Sequence, residues 1–131
     1  MQYRVVFESF AERYFIKSFA KKYPGAWERT RNALELEFSF VERLFDKTIA
    51  ERIHVSPDGS RAICKTEFKI AGTQDSRRGS GNRCIIALYP GERLVRILLV
   101  YGKTDVKGPR ETSWWEQVIK DAYPELKDLL P

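Results

Sequence analysis

A chain of 131 residues and 15.3 kDa has the length of one domain and enough of it to bury a core. Its 43% hydrophobic and 13% aromatic content excludes a disordered polymer, and no apolar run approaches the ~20 residues that a membrane span needs. Net charge is +5; between residues 60 and 83, six basic side chains (Arg61, Lys65, Lys69, Arg77, Arg78, Arg83) face two acidic ones (Glu67, Asp75), so most of the excess sits in one stretch. Charge concentrated in this way points to an anionic partner, nucleic acid first.

Met1 to Phe7 enters a strand pattern directly, with no leader-like apolar stretch, so a cytoplasmic protein is expected. Residues 3–7 read as a strand. Ser9-Phe10-Ala11-Glu12 has the form of a capping box and opens a helix to about residue 22, with Phe15, Phe19 and Tyr23 spaced by four. Tyr23-Pro24-Gly25 ends it. A second helix is expected from 26 to about 44 or a little beyond, on the stripe Trp27, Thr30, Leu34, Phe38, Val41 and Phe45. Leu36 and Phe40 form a second stripe that another element must cover.

The apolar period then changes from helical to two. Residues 51–55 read as a short strand, closed by Pro57-Asp58-Gly59. In 62–70, Ala62, Cys64, Thr66, Phe68 and Ile70 point one way, while Ile63, Lys65, Glu67 and Lys69 point the other. The polar stretch 72–81 is a loop. Residues 83–89 and 93–101 are apolar strands joined at Pro90-Gly91-Glu92, a hairpin suited to a sheet centre. After a turn-rich 102–110, residues 111–123 form a closing amphipathic helix bearing Trp114, Trp115, Val118 and Ile119, a candidate cover for Leu36 and Phe40.

The expected architecture is therefore an α+β domain of order β-α-α-β-β-β-α, with or without an extra short strand before the main sheet, an antiparallel-rich sheet packed by two N-terminal helices. Cys64 and Cys84 lack metal-ligand spacing and read as small buried hydrophobes. The lone His54 and the pair Trp114 and Trp115 read as structural. No glycine-rich strand-to-helix fingerprint is present, so no cofactor or metal is expected.

Three features carry a family resemblance: Gly81-Asn82-Arg83, Tyr89, and Tyr101-Gly102-Lys103-Thr104-Asp105 at the end of the last strand. With the element order, they resemble the RelE/HigB/ParE toxin superfamily over about residues 2–105, leaving a C-terminal helical extension of about 106–131. The resemblance implies a toxin paired with an antitoxin protein. In the RelE and HigB branches, that toxin cuts mRNA on the ribosome without a metal. By the match, Arg83 is the strand arginine that contacts phosphate, and Lys103 the basic position ending the last strand. Lys65 and Lys69 correspond loosely to the strand lysines, about 13 Å apart by strand rise. The long loop before Arg83 and the extension after Asp105 depart from the family pattern.

RNA supplies its own nucleophile, the 2′-OH, so an enzyme must take its proton, hold the phosphate in line and stabilise added negative charge. The candidate catalytic residues are Arg83, Lys103, Lys65 and Tyr101. Lys103 or Lys65 would stabilise charge or act as base, and Tyr101 would stack on a base or donate a proton. Candidate RNA-binding residues are Lys69, Arg77, Arg78 and Arg61. Two other readings stay open: a ParE-like inhibitor of a protein such as gyrase, and a basic nucleic-acid-binding module without catalysis.

Overall fold

The computed structural model describes residues 2–131. β1 (Arg4–Phe7) leads into a helical run made of α1 (Ser9–Ala11), a π-helical segment (Glu12–Ile16) and α2 (Lys17–Lys22). Then follow α3 (Ala26–Ser39), α4 (Val41–Asp46), β2 (Ala50–Val55), β3 (Ala62–Phe68), β4 (Asn82–Tyr89), β5 (Leu94–Tyr101) and α5 (Glu111–Ala122), with a 3-10 segment (Pro124–Leu129) at the end. The strands form one sheet in the order β1-β5-β4-β3-β2, with β1 parallel to β5 and every other pair antiparallel. The expected α+β order is observed, with the short segment 51–55 joining the sheet as the edge strand β2 (Ala50–Val55).

Two apolar layers flank the sheet. Phe19, Trp27, Leu34 and Phe38 pack with Cys64, Phe68, Cys84, Ile86 and Ile97 on one face. Trp115, Ile119, Tyr123 and Leu126 pack with Ile63, Ile85, Leu98, Leu99 and Tyr101 on the other. Both layers are needed because β4 and β5 are apolar almost throughout, and a strand buried on both faces must be covered twice. A bulge between Ile85 and Ile86 turns both Leu98 and Leu99 toward α5.

Several expectations are corrected. The capping box does not form: Ser9 is the first helical residue, Glu8 holds the cap position, and no side chain caps the helix. Glu8 instead pairs with Arg96. The four-residue stripe through Phe15 is broken by the π-helical segment, in which Lys17 N–H reaches Glu12 O. Its wider turn sends Phe15 to the α5 side, against Trp114, while Phe19 stacks on Trp27 in the other layer.

The helix expected through residue 44 divides at Phe40, whose φ of −121° and ψ of 46° leave the helical region. Ser39 O is drawn away to accept Tyr3 N–H at 2.8 Å, anchoring the helix end to the chain just before β1. Leu36 and Phe40 are not covered by α5, which lies on the opposite face of the sheet. Leu36 is 63% exposed, and the Arg43 guanidinium sits 4.6 Å from the centre of the Phe40 ring. The cysteines are free and fully buried; Cys64 faces Ile86 across the sheet and Cys84 faces Thr66. Burial raises the Cys64 thiol to about 12 and pushes the Cys84 thiol up as well.

Candidate functional site

Strand alternation sends Lys65 and Glu67 of β3, Arg83 of β4 and Tyr101 of β5 to the α5 face. Arg83 and Tyr101 are direct partners in the β4–β5 register. The first residue of α5 lies over them. Glu111 Oε2 accepts the Tyr101 hydroxyl at 2.7 Å, and stands 3.4 Å from Lys65 Nζ and 3.8 Å from Arg83 Nε. Arg83 is 9% exposed; its Nη1 donates to Asn82 O at 3.1 Å, while its buried Nε has no hydrogen-bond partner among the described residues.

This arrangement sets the protonation states. Burial pushes the Glu111 carboxyl up, but the Tyr101 hydroxyl and the charges of Lys65 and Arg83 outweigh it and hold the carboxyl below its usual range. Burial, reinforced by the adjacent Glu111, pushes the Tyr101 phenol well above its usual value. At neutral pH Glu111 is therefore a carboxylate and Tyr101 a protonated donor. Tyr101 is fully buried, its ring set edge-on to Trp114 at 5.0 Å, so it cannot stack on a nucleobase.

Lys65 also borders a groove of about 260 Å³ at the open end of β2 and β3, lined by Thr48, Glu51, Glu67, Arg77 and Arg78 among others. Arg78 projects into solvent, with its side chain 89% exposed and a long 3.7 Å pairing to Glu67. Arg77 is held by the Glu37 carboxylate and by Glu67 O at 3.0 Å. Lys65, Arg83, Tyr101, Arg77 and Arg78 thus share one end of the sheet.

The other candidates lie elsewhere. β3 ends at Phe68, so Lys69 does not continue the Lys65 face; it lines a cleft with Thr30 and Leu34 of α3. Arg61 is tied to the C-terminal segment, its two terminal nitrogens donating to the Asp128 carboxylate at 3.2 and 2.5 Å. Lys103 does not close β5 beside Tyr101. Asp105 accepts Gly102 N–H and bends the chain into a 3-10 turn (Lys103–Asp105), which carries Lys103 to a separate cleft with Phe19, Lys22 and Tyr23.

Sequence reasoning missed Glu111. Its only signal was an acid in the first turn of a helix, which the helix dipole explains without any site. It is one of four acids that pair the C-terminal segment with the sheet side: Glu111 with Lys65 and Arg83, Glu116 with His54 at 2.5 Å, Glu125 with Arg96 at 2.8 Å, and Asp128 with Arg61. His54 is half-buried and engaged by Glu116. Trp115 is core, while Trp114 is half-buried at the edge of the site.

No family model matches the sequence, and no curated protein matches it. Among solved structures, the chain is similar to one from the archaeal RelE–RelB complex of Pyrococcus horikoshii OT3, with a TM-score of 0.49 and 16% identity over 79% of this chain and 97% of that one. This is a likeness at the level of the fold. No helix among the described residues is long and apolar enough to cross a membrane, and no group of three or more His, Cys, Asp or Glu among them is placed to hold a metal.

Proposed function

We propose that this chain is a RelE-like toxin that cleaves single-stranded mRNA, on the ribosome, through the cluster around Glu111. The observation that carries the reading is the convergence of Lys65, Arg83 and Tyr101 on a single carboxylate oxygen at the mouth of the Arg77–Arg78 groove. The element order, together with Gly81-Asn82-Arg83 and the Tyr101–Asp105 stretch, supports the family assignment. That assignment brings with it a cytoplasmic location and an antitoxin partner.

Metal-free cleavage of RNA needs a base, fixed cations and a proton donor. In the proposed reaction Glu111 takes the proton of the 2′-OH as that oxygen attacks the phosphorus in line. Arg83 and Lys65 hold the non-bridging oxygens as charge accumulates on them. Lys65 gives a proton to the departing 5′ oxygen, leaving a 2′,3′-cyclic phosphate and a 5′-hydroxyl. Solvent then returns the proton from Glu111 to Lys65. Tyr101 positions the Glu111 carboxylate and does not touch RNA. Arg78 guides the strand along the groove, with Arg77 as part of its wall.

The test is induced expression of wild type, Arg83→Ala, Lys65→Gln and Glu111→Gln, with primer-extension mapping of cellular RNA. Growth arrest with new cuts in codon phase, abolished in all three variants, is the expected result. Arrest without cuts would point instead to a protein target such as gyrase. Soluble wild-type protein that causes neither would remove the toxin reading.

A further inference from the structure

We infer that the cleft between α2, the Ser80–Asn82 turn and the Lys103–Asp105 turn is a nucleotide pocket, in which Lys22 and Lys103 hold the phosphate of one nucleotide of a single-stranded RNA next to the cleavage position. The inference rests on the RNA reading above and adds a second, physically separate point of contact. The cleft has a volume of about 210 Å³ and is lined by Ser18, Phe19, Tyr23, Ser80 and Asn82 as well as the two lysines.

The distribution of charge carries the argument. Lys65, Arg61, Arg77, Arg83 and Arg96 each have a carboxylate within ion-pair distance. Among the described residues neither Lys22 nor Lys103 has one. The acid in this cleft, Asp105, is engaged with Gly102 N–H at 2.8 Å. Two lysines against the single carboxylate of Asp105 leave the cleft with net positive charge, which favours an added anion.

The walls suit a nucleotide better than a bare ion. Ser18 and Asn82, both with hydrogen-bonding side chains, line the cleft, as does Tyr23, whose ring lies 5.4 Å from Lys22 Nζ. Cations interleaved with an aromatic ring are the means by which single-stranded RNA is held without reading its sequence.

Lys103 has its seat because residue 81 lacks a side chain. A Cβ on Gly81 would come within 2.9 Å of Lys103 Cγ, and the φ of +77° at this position favours glycine in any case. Placement adds to the case, since Asn82 lines this cleft while the next residue, Arg83, turns to the Glu111 side of the sheet. RNA passing over the start of β4 meets both sites in succession.

The experiment titrates full-length wild type, Lys22→Gln, Lys103→Gln and the double variant with a short labelled single-stranded RNA and, separately, with adenosine 5′-monophosphate. RNA affinity is read by anisotropy over a salt series, and nucleotide binding by the amide shifts of Gly81 and Gly102. The double variant is expected to bind RNA on the order of tenfold more weakly, and each lysine removed should flatten the salt slope by about one. Lys103→Arg, which keeps the charge, should restore binding and so exclude a folding effect. Affinity and slope unchanged in the double variant would overturn the pocket, and the cleavage reading would stand if Arg83→Ala still abolished cutting. Wild type that binds the mononucleotide but not RNA would overturn the RNA assignment of the cleft. Wild type that binds neither would overturn this inference and the proposed function together.

Discussion

The Tyr101 hydroxyl donates to Glu111 Oε2 at 2.7 Å, tying the last residue of β5 to the first residue of α5. It holds a carboxylate above Arg83 and Lys65, where α5 would otherwise present only a solvated helix end.

Tyr101→Phe should loosen the carboxylate while keeping the ring that packs against Trp114. A hydrogen bond to a charged group contributes ~1.5–3 kcal/mol when buried. Glu111 retains about a third of its side-chain exposure, so we expect a loss below that range, about 1 kcal/mol, in urea unfolding. RNA cleavage should fall and RNA affinity should not. An equal loss of both would show that Tyr101 acts through the fold alone.

Glu111→Gln separates binding from chemistry. It removes a negative charge facing two cations. RNA binding should tighten several-fold, in the direction that electrostatics requires, while cutting is lost. Weaker binding in this variant would argue that Glu111 organises the cations and takes no proton.

The pH dependence follows from the depressed Glu111 carboxyl. Its folded pKa lies below its unfolded value, near 4.3 for a free glutamate, so the folded state binds fewer protons through that window. The stability it contributes is therefore complete above the unfolded value and is lost as pH falls through the folded one. Denaturation of wild type and Glu111→Gln should differ at neutral pH and converge on acidification. A gap that stays constant into acid would contradict the ion-pair geometry.

Trp115 is fully buried between α5 and the sheet, so Trp115→Ala should lower stability by about 3–5 kcal/mol. Chemical denaturation followed by circular dichroism measures this directly. A loss below 1 kcal/mol would mean that the C-terminal segment is not a structural layer in solution.

Cys64 and Cys84 are both fully buried, with thiols raised by burial, Cys64 to about 12. The thiolate is the reactive form, so a thiol reagent should modify neither residue in the folded protein at neutral pH, and both at the rate of unfolding. Fast modification of the native protein would place at least one of them in a different environment.

Much of the fold could be read locally. The change of apolar period after residue 50, the turn at Pro90-Gly91-Glu92 and the doubly apolar runs of β4 and β5 are properties of short segments, and each element formed near its expected place. Local reading failed where a distant group competed for the backbone or the side chain. Tyr3 N–H takes the carbonyl of Ser39 and splits a continuous helical stripe, and Arg31 takes the Glu12 side chain that the expected capping box needed. The π-helical turn redirects Phe15, which spacing by four had grouped with Phe19.

The candidate site divides along the same line. The sequence by itself determined that Lys65 and Glu67 share one face of a strand, because strand periodicity is a local property, and the pairing of β3, β4 and β5 then set Arg83 and Tyr101 on the same face as Lys65. Only the tertiary structure decided that α5 covers that face and not Leu36, and that Glu111 is the residue on which the three converge. It also decided that Lys103 belongs to a different cleft, since a 3-10 turn after Gly102 carries it away from the strand. The physical reason is range. Periodicity acts over a few residues, whereas the partner of a charge is chosen by whichever opposite charge packing brings near, here Glu111, which lies 28 positions from Arg83 and 46 from Lys65 in the chain.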